Sequence, residues 1–197
     1  MKMIILASAS ERRKELLAQL IGRDFEVRVS SYAEGTVDGL DPTELVMHHS
    51  REKALDVAGG FKEGIIISAD TVVICDDKVL GKPEDEEDAR TMLSMISGKD
   101  IKAVTGLTVL DVASGKLITE HEMTVVRMRE MSGKLIDAYV NTGEPMGKAG
   151  AFAIQGKGAI LVERIEGDFF NVVGLPLFRL SGMLEGFRID VLHLDGY

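Results

Sequence analysis

The chain has 197 residues, 45% hydrophobic and 28% charged, enough for one domain with a sizeable core and too balanced for a disordered or fibrous protein. A formal net charge of −9 excludes a general nucleic-acid coat and still permits a local basic pocket. Cys75 is the one cysteine, so no internal disulfide can form; the opening MKMIILASASERR has too short an apolar run for a signal peptide, and no run reaches the roughly 18 apolar residues of a membrane span. The expectation is a cytoplasmic protein with no membrane and no nucleic-acid partner.

Strands and helices alternate along the chain. An apolar strand at 3–7 leads into a helix at about 10–21, with Leu16, Leu17, Leu20 and Ile21 on one face. Phe25 to Val29 alternates as a strand does. Asp41-Pro42-Thr43-Glu44 opens a helix that runs to Gly59-Gly60. Gly64 to Cys75 is a buried strand centred on Ile65-Ile66-Ile67. Pro83 and the acidic run Glu84 to Asp88 start a further helix, closed by Ser97-Gly98. Two long alternating stretches, about 101–111 and 116–129, flank a Ser114-Gly115 hairpin turn. A helix at about 132–141, a strand at about 159–166 and a helix at about 175–186 complete the chain. Long hairpins among these elements predict an α/β protein with a mixed sheet and exclude a purely parallel doubly wound one.

Several apparent motifs fail on spacing. Gly150 to Gly158 has five residues between its first two glycines where a P-loop needs four, and Gly158 stands where Ser or Thr should bind magnesium. His48 and His49 are neighbours on a helix and point about 100° apart, which suits packing or solvent better than a shared metal. Cys75 lies in a strand pattern and reads as a core thiol.

Other stretches carry chemistry. Ala7-Ser8-Ala9-Ser10-Glu11-Arg12-Arg13 joins a buried strand to a helix start. Ser8 with Glu11 fits a capping box, and Ser10 alone could cap the same helix. The same segment also offers free backbone N–H groups, hydroxyls and two guanidinium forks to a polyanion. Asp70 follows a run of buried β-branched residues, where a carboxylate is costly unless paired or bound to a cation. Gly81-Lys82-Pro83 holds Lys82 on a stiff corner, and Lys53 lies within a helix, facing either a cleft or solvent. Gln155 sits in a glycine-rich segment, where its amide can both donate to and accept from a base edge. Gly167 to Pro176, with Phe169, Phe170 and Asn171, looks mainly structural.

Taken in order, these stretches resemble the Maf family of nucleoside triphosphate pyrophosphatases. The family's Ala-Ser-x-Ser-Pro-Arg-Arg opening matches 7–13, with Glu11 in place of Pro. Its Asp-Thr-Val-Val, Gly-Lys-Pro, Ser-Gly and Val-Thr-Gly blocks match 70–73, 81–83, 97–98 and 104–106. Its Gly-Glu-Pro, Lys-Ala-Gly, Ile-Gln-Gly and Asn-Val-Val-Gly-Leu-Pro blocks match 143–145, 148–150, 154–156 and 171–176. Ile101 stands where many members have histidine, so that position is given no catalytic role.

The resemblance implies a single domain over 1–197: an elongated mixed sheet with flanking helices and two lobes around a cleft, similar to the inosine triphosphate pyrophosphatases. It implies hydrolysis of nucleoside triphosphates to the monophosphate and diphosphate, with Mg²⁺ or Mn²⁺ as cofactor. Asp70, Lys53 and Lys82 match catalytic positions, and Asp70 with Glu34 matches acidic positions that hold metal. Ser8, Ser10, Arg12, Arg13, Thr71 and Gln155 match substrate positions; Arg, Thr and Gln at 12, 71 and 155 are the set of members acting on dTTP and UTP. Whether Asp70 acts as base, ligand or both stays open at this level. Competing expectations are the same reaction on 7-methyl-GTP or another non-standard nucleotide, a non-hydrolysing nucleotide sensor, and a non-enzymatic septation regulator. The family also implies a homodimer.

Overall fold

The computed structural model describes residues 2–35 and 37–193. Seven strands form one mixed sheet: β1 (Ile4–Leu6), β2 (Glu26–Val27), β3 (Ile65–Cys75), β4 (Lys78–Leu80), β5 (Asp100–Asp111), β6 (Leu117–Met128) and β7 (Val162–Glu166). Their order is β2-β1-β3-β5-β6-β7, with β4 paired antiparallel to β3. Around them run α1 (Glu11–Ile21), α2 (Pro42–Ala58), α3 (Glu86–Ile96), α4 (Gly133–Val140), α5 (Phe169–Val173) and α6 (Leu177–Glu185). This is the expected α/β class with a mixed sheet and flanking helices.

The helix starts follow local chemistry. Asp41 caps α2: its carboxylate accepts from the N–H of Thr43 and Glu44 at 2.8 and 2.9 Å, and Glu44 accepts from the Asp41 N–H at 3.0 Å. That reciprocal pair satisfies orphan donors of the first turn, and Pro42 needs no donor there. Asp85 caps α3 through the N–H of Asp88, and three acids fill the first turn, where the helix dipole favours them. Ser132 caps α4.

The chain divides into two compact units. The first comprises residues up to Asp70, Thr105–Glu122 and those from Gly174 on; the second comprises Thr71–Val104 and Met123–Val173. In the first unit Ile5 and Ala7 of the β1 segment and Ile66 of β3 pack with Ala54 and Val57 of α2 and Leu110 of β5. Here β1 is parallel to both β2 and β3, and Ala7 N–H extends the ladder to the Ile67 carbonyl at 2.8 Å. In the second unit Leu93 and Ile96 of α3 pack with Ile101, Met128 and Leu161, all fully buried. Ile101 is thus a core side chain, and Cys75 is buried in the same cluster as a free thiol.

Two expectations change in detail, and two elements are additions. The strand read over 25–29 forms only at Glu26–Val27, and Val29 is exposed. β2 ends the sheet order, and past it one further bond, from the Arg28 N–H to the Leu6 carbonyl at 3.0 Å, continues its ladder with β1. The strand read from 159 begins at Val162, because Gly156–Leu161 winds into a 3₁₀ turn first. β4 and α5 were not read from the sequence. β4 folds back on β3 through Asp76 and Asp77, both in the left-handed region at φ 47° and 63°, the geometry of a tight two-residue hairpin turn. In α5, buried Asn171 donates from Nδ2 to the Ala103 carbonyl and to Thr124 Oγ1, both at 3.0 Å, which accounts for a polar residue in that structural stretch.

Candidate active site

The first unit gathers seven of the ten residues singled out above. At its centre is α2. Val46, Ser50, Lys53, Ala54 and Val57 share the buried face of this helix, following its 3.6-residue period. Gly106 of β5 brings the helix unusually close: a Cβ there would stand 2.2 Å from the Val46 carbonyl oxygen. Ser68 Oγ donates to the Ser50 carbonyl, and Ser50 Oγ shares a hydrogen bond with Thr108 Oγ1 at 2.9 Å, which meets Thr119 Oγ1 at the same distance. These polar links fix the rotation and height of α2 against β3, β5 and β6.

The anchored helix delivers Lys53. Its Nζ lies 2.7 Å from Asp70 Oδ1 and 2.6 Å from Glu34 Oε1. Lys53 and Asp70 are only 7% and 6% exposed, so the open choice between cleft and solvent resolves to a buried ion pair. The expected cost of Asp70 in a run of β-branched residues is met by this partner. Glu34 is exposed and extends the pair to the surface.

Glu34 rides on a segment tied to α2 by residues that sequence reasoning missed. Asp56 accepts from Ser30 Oγ and Ser31 N–H at 2.7 Å and from Ser31 Oγ at 2.9 Å. The Ser30 hydroxyl bond, with those from Ser31, holds the Asp56 carboxyl below the usual carboxylate range. Tyr32 Oη meets His49 Nδ1 at 3.0 Å, which gives the buried histidine a packing role. Burial pushes the Tyr32 phenol upward, and the negative charges of Glu52, Asp70 and Glu34 push it the same way.

The β1–α1 junction adjoins this centre. Ser10 is the N-cap residue of α1 in extended backbone, but its side chain makes no capping hydrogen bond. Ser8, buried, accepts from the Ser10 N–H at 3.2 Å, so the Ser8–Glu11 capping box does not form. Glu11 takes the first helical position, exposed, with Lys14 at 3.5 Å. Arg12 lies half-buried in the same turn. Arg13 turns inward: Nε donates to the Gly174 carbonyl and Nη1 to the Ala69 carbonyl, each at 2.8 Å. It therefore braces the residue before Asp70. Burial draws its guanidinium below the ordinary value, opposed by the charges of Asp70 and Glu34 and reinforced by Arg12. The result is a helix start with no side-chain cap from Ser10, an anion-favouring place, beside two carboxylates that converge on one point.

Two carboxylate oxygens bound to a single ammonium form a hard, oxygen-only donor set. It fits Mg²⁺ or Mn²⁺ if other oxygens complete the shell. Among the described residues, no cluster of three or more His, Cys, Asp or Glu could hold a metal alone.

Thr71, Lys82 and Gln155 belong to the second unit. Thr71 is half-buried on β3, directly after Asp70. Lys82 is exposed between Gly81 and buried Pro83, and the Gly81 carbonyl accepts from the Gly150 N–H at 2.9 Å, fastening that corner to the loop before Gln155. Gln155 precedes the 3₁₀ turn, half-buried, and its amide makes no capping bond.

Fold and site define a class: an α/β protein in which a buried acid–lysine pair adjoins an anion-favouring helix start. The fold is also that of a HAM1 protein from Coxiella burnetii, with a TM-score of 0.50 at 18% identity over 94% of this chain and 100% of that one. The Maf-like protein family model matches residues 3–187, and the chain belongs to that family. A relative in Methanococcoides burtonii, named dTTP/UTP pyrophosphatase, is 59% identical over 97% of this chain and 98% of its own length. Relatives of the same name in Methanosarcina barkeri and Acetivibrio thermocellus are 58% and 48% identical, covering 98% and 96% of this chain and 98% and 97% of their own lengths.

Proposed function

We propose that this protein hydrolyses dTTP and UTP to the nucleoside monophosphate and diphosphate. Water attacks the α-phosphorus, the bond from that phosphorus to the bridging oxygen breaks, and diphosphate leaves with the bond's electron pair. The observation that carries this reading is Lys53 Nζ held at 2.7 and 2.6 Å between buried Asp70 and exposed Glu34, in the unit that carries the α1 start. The name shared by relatives at 48–59% identity supports the substrate assignment.

Each residue then has a task. Asp70 takes the water's proton, a role worth roughly 10²–10⁴-fold, and with Glu34 would hold Mg²⁺ or Mn²⁺. When bound, that cation supplies charge neutralisation on the phosphate oxygens. Lys53 pairs with Asp70 and orients it. Ser8, Ser10, Arg12 and the N–H groups of α1 receive phosphate oxygens, Arg13 holds the strand that presents Asp70, and Lys82 neutralises charge on the departing diphosphate. Thr71 and Gln155 choose the base: uracil and thymine present two carbonyls around one ring N–H, which an amide matches as donor and acceptor. No helix among the described residues is long and apolar enough to cross a membrane. We assign the protein to the cytoplasm, where the lone buried thiol of Cys75 stays reduced.

The test is a panel of triphosphates assayed for diphosphate release with and without Mg²⁺. dTTP and UTP should turn over fastest, only with the cation, and Asp70→Asn should abolish turnover in a folded protein. Near-wild-type release by Asp70→Asn, or faster hydrolysis of GTP or 7-methyl-GTP than of UTP, would overturn the reading.

A further inference from the structure

Glu144 and Tyr139 lie in the second unit and have no part in the roles above, yet together they form a polar node. Tyr139 is 4% exposed at the end of α4, and Glu144 is half-buried four residues past that helix. The Glu144 carboxylate accepts three hydrogen bonds: from Tyr139 Oη at 3.0 Å, from the Lys157 N–H at 3.0 Å and from the Gly158 N–H at 2.7 Å. Tyr139 Oη in turn accepts from the Ala153 N–H at 3.1 Å. One phenol and one carboxylate therefore seize the backbone at 153 and again at 157 and 158. Gln155 lies midway between these grips.

The fit is close enough to dictate the glycines around it. Gly156 adopts φ 72°, and a Cβ on it would stand 2.7 Å from Glu144 Oε2. On Gly158 a Cβ would meet the Ala153 carbonyl at 2.3 Å and Tyr139 Oη at 2.5 Å. Only a chain lacking side chains at both places can lie against the pair. Burial alone would raise the Glu144 carboxyl; the N–H bonds from Gly158 and Lys157 and the phenol bond outweigh it, and the group sits below the usual carboxylate range. The carboxylate thus stays ionised and acceptor-only through neutral pH, as three donors require.

We propose that Glu144, with Tyr139, is the positioning device for base choice: it sets the backbone at Gln155 so that the amide is presented in one orientation. This rests on the reading that Gln155 recognises the base. The two differ in what they need. An amide on a loose loop can still donate or accept, but it cannot discriminate a carbonyl from an amine at one fixed place.

The experiment measures kcat/KM for UTP and CTP, which differ at that base edge by a carbonyl against an amine and by a ring N–H against a bare nitrogen. Gln155→Ala should lower the UTP:CTP ratio by about tenfold. Glu144→Gln keeps the shape but replaces one acceptor oxygen with a donor, and should lower the ratio about threefold to tenfold, mainly through KM for UTP. Adding Glu144→Gln to Gln155→Ala should change the ratio no further, because the device acts through that side chain. Tyr139→Phe, a milder change, should lower it about threefold and serves if Glu144→Gln does not fold. An unchanged ratio in the folded Glu144 or Tyr139 variant, or an effect that persists undiminished without Gln155, overturns the proposal and leaves base recognition by Gln155 standing. An unchanged ratio in Gln155→Ala alone overturns that recognition, and the positioning role with it.

Discussion

Lys53→Met isolates the ion pair at the centre of the first unit. Methionine keeps the length and apolar stem of lysine, so the packing of α2 should survive, but the ammonium between Asp70 and Glu34 is gone. The two acids respond differently to its loss. Glu34 has a side chain 45% exposed and can turn to water; that of Asp70 is 8% exposed and cannot. Removing one partner of a buried pair typically costs about 3–5 kcal/mol, and the charge of nearby Arg13 softens the loss, so we expect the lower end, about 3 kcal/mol. For a chain of this size that is a fall in Tm of about 6–12 °C. Asp70→Asn leaves Lys53 with Glu34 and should cost about 1–2 kcal/mol. The double variant buries no lone charge and should be more stable than Lys53→Met alone by about 1 kcal/mol or more. Urea unfolding of the four proteins at pH 7 decides the matter. A loss below about 1 kcal/mol in Lys53→Met, or a double variant no better than it, would refute the claim that Lys53 compensates Asp70.

Gly106→Ala should destabilise the first unit by about 3 kcal/mol, because the new methyl would stand 2.2 Å from the Val46 carbonyl oxygen and backbone cannot step aside as a side chain can; unfolding midpoints within about 0.5 kcal/mol of wild type would contradict that close approach. Acid should act through Asp111, whose carboxyl is held below its ordinary value chiefly by the Lys2 hydrogen bond at 2.7 Å, with Ser114 helping. A depressed carboxyl contributes stability that is complete above the unfolded value near ~3.9 and is lost as pH falls through the folded value. Asp111→Asn should therefore lower Tm at pH 7, by little since Lys2 is half-exposed, and the difference should close as pH drops below about 4. A difference that widens in acid would reverse the sign and exclude the assignment.

Much of the first unit was legible because its signals are local. Asp41, Pro42 and Glu44 state where α2 begins, and each acts within one helical turn. Asp70 stood out because a carboxylate inside a run of buried β-branched residues demands a partner. The identity of that partner was less plain. The buried face of α2 holds Val46, Ser50, Ala54 and Val57, and Lys53 falls in the same stripe. A charged residue on an apolar stripe is itself a sign of buried pairing, and it resolves the choice between cleft and solvent. The β1–α1 junction is a helix start, as its residues indicate, but Arg13 was expected to face an anion and instead spends two donors on the Gly174 and Ala69 carbonyls. Sequence places a guanidinium on a helix turn; it does not say which carbonyls, 56 and 161 residues away, will arrive beside it.

The same distinction explains why Glu144, read only as part of a Gly-Glu-Pro block, and Asp56 received no role while Gln155 and Glu34 did. Gln155 and Glu34 carry groups that could meet a ligand, so their chemistry can be guessed from type and setting. Glu144 and Asp56 act on backbone N–H and serine hydroxyls 13 and 25 residues away, and any surface acid has the same appearance before the chain folds. What does survive in the sequence is indirect. Gly156 and Gly158 flank Lys157 at a place where a P-loop fails on spacing, and glycines that bind no phosphate still require a reason. Here the reason is steric: something must approach too closely for a Cβ, the carboxylate at 144 beside Gly156, and the Ala153 carbonyl with the phenol at 139 beside Gly158. A glycine pair left over when a ligand motif is rejected is thus a pointer to the residue that packs against it.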